Sequence, residues 1–157
     1  MKYRTILLMA ILVILLSACS SSATEPTEIK QNRDSCDNCN MGIAELESAA
    51  QLILKSGEPV LFDDIGCMTQ YIQTENPEYD AAFVHDYLSR EWISFETSSF
   101  IQNGHIESPM SYGIAAFESL EKAEEFQKKN GGTAYSKDEI LKADIKSFKG
   151  EGMKHSH

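Results

Sequence analysis

Two cysteines and a methionine stand close together in Cys36-Asp37-Asn38-Cys39-Asn40-Met41, and Cys67 and Met110 add sulfur farther along the chain. Thiolate and thioether are soft donors, and a set rich in both selects Cu(I) over Zn(II), Mg(II) or Ca(II). The Cys36-x-x-Cys39 spacing by itself leaves three readings open: a small disulfide, a redox-active pair, or a pair of metal-binding thiolates. A thioredoxin-like pair is expected where a strand runs into a helix. Here the preceding segment is polar, and Asn40-Met41-Gly42 interrupts any helix start. A second CxxC, which a four-cysteine zinc site needs, is absent. Met41, two residues past the pair, favours Cu(I), because few other biological ions take a thioether.

The remaining candidates are weighed against ordinary structural roles. Cys67 falls in the first turn of an expected helix. That position favours thiolate through the helix dipole, although Asp63 and Asp64 oppose it. It lies off the apolar stripe of Ile65, Met68 and Ile72, so a ligand role is preferred over packing, whereas Met68 lies on the stripe and belongs to the core. Met110 follows Pro109 at a loop-to-strand junction, where core and ligand roles are equally open. His85-Asp86 could be an imidazole oriented by its neighbouring carboxylate, acting as a secondary ligand or as support behind the ligands. Met153, His155 and His157 form a short tail, about 149–157, that could gather copper weakly. No paired carboxylates, Ser/His/Asp set or phosphate-cradling loop stands out, so no catalytic residues are assigned and no enzyme is expected.

The elements that must position these residues read as an α+β domain. Strands are expected within 41–54 and at Pro59–Phe62, separated by the turn Lys55-Ser56-Gly57-Glu58. Asp63-Asp64 can cap a helix that Asn76-Pro77 stops, and Ala81–Val84 is a third strand. The order then recurs. Trp92–Phe95, Ser99–Ile101 and Tyr112–Phe117 are strand-like, a helix carries Leu120, Ala123 and Phe126, and Thr133–Tyr135 is a strand. Ser136 to Glu139 reads as a capping box opening a last helix through about Phe148. Val60-Leu61-Phe62-Asp63 matches Ala115-Ala116-Phe117-Glu118, each ending in Phe and an acid before a helix. The expectation is two small ββαβ lobes, about 34–87 and 88–148, packed as one unit of about 115 residues.

Residues 1–18 read as a targeting segment: basic Lys2 and Arg4, then the apolar run Ile6–Leu16, shorter than the roughly 20 residues of a spanning helix. Leu16-Ser17-Ala18-Cys19 resembles a bacterial lipobox, which makes Cys19 the lipidated first residue of a protein tied to the outer face of a membrane. Residues 19–33, small, polar and proline-containing, are the expected tether. The chain has 14 basic and 24 acidic residues, and losing Lys2 and Arg4 takes its net charge from −10 to −12. Such a surface disfavours nucleic acid and attracts cations.

Taken together, Cys36-x-x-Cys39-x-Met41, Phe62-Asp63-Asp64-x-Gly66-Cys67-Met68, Val84-His85-Asp86, Glu91-Trp92, Pro109-Met110-Ser111-Tyr112-Gly113 and Gly131-Gly132 resemble the NosL family, lipoprotein copper chaperones of nitrous oxide reductase maturation. The resemblance implies Cu(I) binding outside the cytoplasm and delivery toward the reductase's copper centres, beside an ABC-type membrane assembly complex. It implies two ββαβ lobes similar to part of organomercurial lyase. Carried over by position, the metal residues are Cys36, Cys39, Met41, Cys67 and Met110. The chain has Asn40-Met41-Gly42 where Gly-Met is commoner in the family. The rival reading is a membrane-tethered thiol–disulfide oxidoreductase using Cys36 and Cys39.

Overall fold

Gln51 sits in a central strand with its side chain buried, and a buried amide needs hydrogen-bond partners. Its partner is Thr27, whose N–H and hydroxyl donate to Gln51 Oε1 at 2.8 and 2.9 Å, while Gln51 Nε2 donates to the Thr27 carbonyl at 3.1 Å. The contact lies near the start of residues 24–149, which a computed structural model of the chain describes. The expected tether through residue 33 therefore ends sooner, since Ile29 is also buried, with Ile43 and Ala49. The lipobox cysteine Cys19 and the tail residues Met153, His155 and His157 lie outside the described residues.

Strands β1 (Ala50–Leu54) and β2 (Pro59–Phe62) form a hairpin whose turn is closed by Gly57, at φ 85°, a left-handed conformation suited to glycine. Helix α1 (Ile65–Glu75) starts at Asp64, whose Oδ1 accepts from Gly66 N at 2.6 Å, and stops at left-handed Asn76. Strand β3 (Tyr79–His85) returns along β1, and the short β4 (Trp92–Ser94) pairs with β3. The first sheet thus runs β2-β1-β3-β4, antiparallel throughout, and continues past residue 87.

The second half builds the same motif. Strands β5 (Ser99–Gln102) and β6 (Ile114–Phe117) are followed by helix α2 (Leu120–Asn130), capped by Ser119 accepting from Lys122 N, and by strand β7 (Thr133–Ser136). Its order is β6-β5-β7, the counterpart of β2-β1-β3. The capping box at Ser136 and Glu139 forms as expected. The last helix does not run through. It divides into α3 (Lys137–Ile140) and α4 (Ile145–Phe148), and at the break Gln73 Nε2 donates to the carbonyls of Leu141 and Ala143, at 3.0 and 2.9 Å.

One hydrophobic cluster spans both lobes, joining Leu52, Phe62 and Val84 to Phe95, Phe100 and Tyr112, with Ile140, Ile145 and Phe148 closing it. The lobes are also joined through backbone. Asp86 and Ala116 make a parallel bridge, and Tyr87 N donates to Ala116 O at 2.8 Å. No helix among the described residues is long and apolar enough to cross a membrane.

Candidate metal centre

The Cys36–Cys39 segment is a tight turn folded against the edge of the first sheet. Asn40 N donates to Cys36 O and Cys36 N to Met41 O, both at 2.8 Å, and Asn40 adopts a left-handed φ of 61°, which asparagine tolerates better than most residues. Asp37 fastens the turn to β2: its N–H donates to Leu61 O at 2.8 Å, and its Oδ2 accepts from Leu61 N at 2.7 Å. The pair is thereby held beside the end of β2, where Phe62 leads into Asp63, Asp64 and the first turn of α1. That turn carries Cys67.

The result is one constellation. The sulfurs of Cys36, Cys39 and Cys67 and a carboxylate oxygen of Asp63 all lie within 4.8 Å of one another, and Cys39 Sγ is 3.5 Å from Asp63 Oδ2. Cys36, Cys67 and Asp63 are buried and Cys39 is half-exposed, so the group is open on the Cys39 side. Asp63 Oδ1 is buried without a hydrogen-bond partner. An orphaned carboxylate oxygen among thiols is what a cation would satisfy.

The three thiols share charge unequally. Cys36 is held down to about 7, first by the hydrogen bond from the Cys67 thiol, against the opposite push of burial, and further by the N–H groups of Asp63 and Cys39. Burial raises Cys39 to about 11, with Cys36 adding to the rise. Cys67 is raised further, first by its hydrogen bond to the Cys36 sulfur and then by burial. At neutral pH Cys36 is therefore about half ionised, and the other two sulfurs stay protonated. A cation arriving there displaces the remaining protons.

Cys67 is fully buried and packs in the main core cluster, contrary to the expectation that it lies off the apolar face. The reason is that the N-terminal turns of α1 are wedged between the lobes, so Ile65 through Thr69 are all buried. Gly66 permits this approach, because a Cβ there would run into the Tyr112 ring. Met41 is 53% exposed on the same turn as the cysteine pair, and Met110 is half-buried against the cluster that contains Cys36 and Cys67.

The expected His85–Asp86 pair is not formed. Consecutive residues of an extended chain point to opposite faces. His85 stacks on Trp92 at 3.7 Å between ring centroids, and its Nδ1 lies 3.2 Å from Ala49 O. Burial lowers its pKa. Asp86 instead accepts from Leu88 N, Ser89 N and Ser89 Oγ through Oδ2 and from Glu118 N through Oδ1, at 2.8 to 3.1 Å. Burial alone would raise its pKa, yet those donors leave it lowered. Both residues build structure. Asp63, by contrast, reads from the sequence only as a helix cap. The available signal was the doubled acid: one carboxylate suffices for capping, and Asp64 does it, leaving Asp63 for another task.

The family model for NosL matches residues 26–145. Among solved structures, the chain is similar to the crystal structure of the copper chaperone NosL from Shewanella denitrificans, at 20% identity and a TM-score of 0.64, over 74% of this chain and 96% of that one. No curated protein matches by sequence. With the family model covering most of the chain and the same fold recurring in that structure, the protein belongs to the NosL family.

Proposed function

We propose that the protein is a Cu(I) chaperone, anchored by lipid at Cys19 to the extracytoplasmic face of a membrane, that supplies copper for the assembly of nitrous oxide reductase beside an ABC-type membrane complex. The observation that carries the copper reading is the convergence of Cys36, Cys39 and Cys67 sulfurs at a half-exposed opening. Two or three thiolates suit Cu(I), which accepts low coordination numbers and soft donors. Family membership and the copper chaperone of like fold support the same reading. Half-exposed Cys39 and exposed Met41 stand where an acceptor's sulfur or imidazole would enter, so the ion could pass by stepwise ligand exchange. The acidic surface and the lipid would orient and confine that encounter.

Against the oxidoreductase, Cys36 does not open a helix. It lies in a turn held to β2, with a third thiol beside it, which is a poor setting for a two-cysteine redox cycle. One observation favours a second metal reading: Asp63 completes a three-sulfur, one-oxygen set of the kind Zn(II) also takes. Anaerobic titration of reduced protein against competing chelators separates these readings. Tight binding of one Cu(I), lost in Cys36→Ser/Cys39→Ser while circular dichroism is retained, is the expected result. Zn(II) binding with no tight Cu(I) uptake rejects the copper assignment, and disulfide exchange that persists under a cuprous chelator favours the oxidoreductase.

A further inference from the structure

Asp63 is out of place in a purely cuprous site. Soft sulfur donors satisfy Cu(I) by themselves, whereas carboxylate oxygen suits harder ions. Yet Asp63 is 2% exposed, its Oδ1 has no hydrogen-bond partner, and its Oδ2 accepts from the Cys39 thiol at 3.5 Å. One of its oxygens lies within 4.8 Å of all three sulfurs. A buried carboxylate left half unpaired is costly unless a cation joins it. The cluster is thus a mixed set of soft and hard donors, and Cu(II) takes oxygen ligands that Cu(I) does not need.

The sulfurs differ in access. Cys36 is 1% exposed and Cys67 is 0% exposed, while Cys39 is half-exposed on the same turn as exposed Met41. The two buried thiols share a hydrogen bond. A bulky oxidant in solution cannot reach that pair, but an ion seated among the four donor atoms, none more than 4.8 Å from another, meets both sulfurs. Two thiols that close a disulfide give up two electrons, enough to reduce two Cu(II). Cys39 and Met41 stay at the opening as soft donors for the cuprous product.

Resting on the copper reading of this site, we propose that the protein also takes up Cu(II) and reduces it. Cys36 and Cys67 are the electron donors, Asp63 is the oxygen ligand that seats the cupric ion, and Cys39 is the sulfur that keeps the cuprous product. Two Cu(II) each gain one electron, the S–H bonds of Cys36 and Cys67 break, one S–S bond forms between them, and two protons leave to solvent. One Cu(I) stays at Cys39 and the other is released. An external dithiol restores the pair, supplying two electrons and two protons and itself becoming a disulfide.

The test mixes reduced full chain with two equivalents of cupric sulfate in the absence of oxygen and follows the electron paramagnetic resonance signal of Cu(II). Once the signal settles, a cuprous chelator counts Cu(I), and alkylation followed by trypsin maps the cysteines. Cys36 and Cys39 share the peptide 34–55 and Cys67 lies in 56–90, so a Cys36–Cys67 bond joins two peptides and a Cys36–Cys39 bond joins none. Expected are loss of the cupric signal, two Cu(I) per joined pair and an alkylated Cys39. Zn(II), which has no redox chemistry, should join no peptides. Asp63→Asn and Cys67→Ser, with circular dichroism retained, should each slow the loss of signal by at least about tenfold. Cu(II) that persists in protein able to bind one Cu(I) tightly overturns the proposal and leaves the chaperone reading standing, whereas failure to bind either ion overturns both. A Cys36–Cys39 bond as the main product overturns the assignment of the donors. An equal rate in the urea-unfolded chain, or in both variants, marks ordinary thiol oxidation and overturns the proposal as well.

Discussion

Raising the pH should tighten Cu(I) binding steeply, by an amount that counts the sulfur ligands. Coordination requires thiolates, and the metal-free cluster holds its protons unequally: Cys36 loses its proton near about 7, Cys39 near about 11, and Cys67 still higher. Between those two values Cys36 is already ionised, so a three-thiolate site must expel about two protons from Cys39 and Cys67 on binding one ion. Each proton expelled is worth about 1.4 kcal/mol per pH unit, a factor of ten. The affinity should therefore rise about a hundredfold per pH unit in this window, and more steeply below it, where Cys36 too must be deprotonated. If Cys36 and Cys39 alone bind the ion, the rise is about tenfold. The assay is anaerobic competition with a cuprous chelator across this range, with the chelator's own protonation measured in parallel and proton release followed in weakly buffered solution. An affinity that stays flat with pH, or falls as pH rises, refutes the picture of one thiolate and two retained protons.

Two perturbations test the frame around the site. Gly66→Ala places a methyl against the Tyr112 ring beside Cys67. It should cost about 1–3 kcal/mol by overpacking, read as a shift in the denaturant midpoint, and should weaken Cu(I) binding by displacing α1. Asp86→Ala strips acceptors from the N–H groups of Leu88, Ser89 and Glu118 and should destabilise by about 3 kcal/mol in urea unfolding. Because the folded carboxyl is held below its ordinary 3.8, its contribution is complete above that value and disappears as pH falls through the lower folded value. The Ala variant's deficit should accordingly shrink in acid, and a deficit that stays constant there contradicts this assignment.

The repeat was legible because its punctuation is local. Gly57, Asn76 and the Ser136–Glu139 box each act within a few residues, and the match of Phe62-Asp63 with Phe117-Glu118 marks equivalent edge strands β2 and β6. Cys36, Cys39 and Cys67 were recognisable as candidates by residue type. What periodicity could not show was the second lobe's contribution. A helix stripe drawn from one lobe leaves Cys67 outside, whereas Tyr112, about 45 residues farther along the chain, packs against the first turn of α1 at Gly66 and shares the core cluster with Cys67. The same limit hid Gln73's capture of two carbonyls and Thr27's service to Gln51, both long-range polar contacts with no periodic signature. His85-Asp86 misled in the opposite way, since adjacency in sequence separates side chains in extended backbone.

Asp86 has a mechanical consequence. By accepting from its own loop and from Glu118 across the junction, next to the Asp86–Ala116 bridge, it rivets one sheet to the other. Those contacts resist a clamshell-like opening of the two sheets at this junction. For the carrier proposed above, metal would then exchange at the half-exposed lip at Cys39, and the speed of hand-over would depend on how well an acceptor's contour meets that lip.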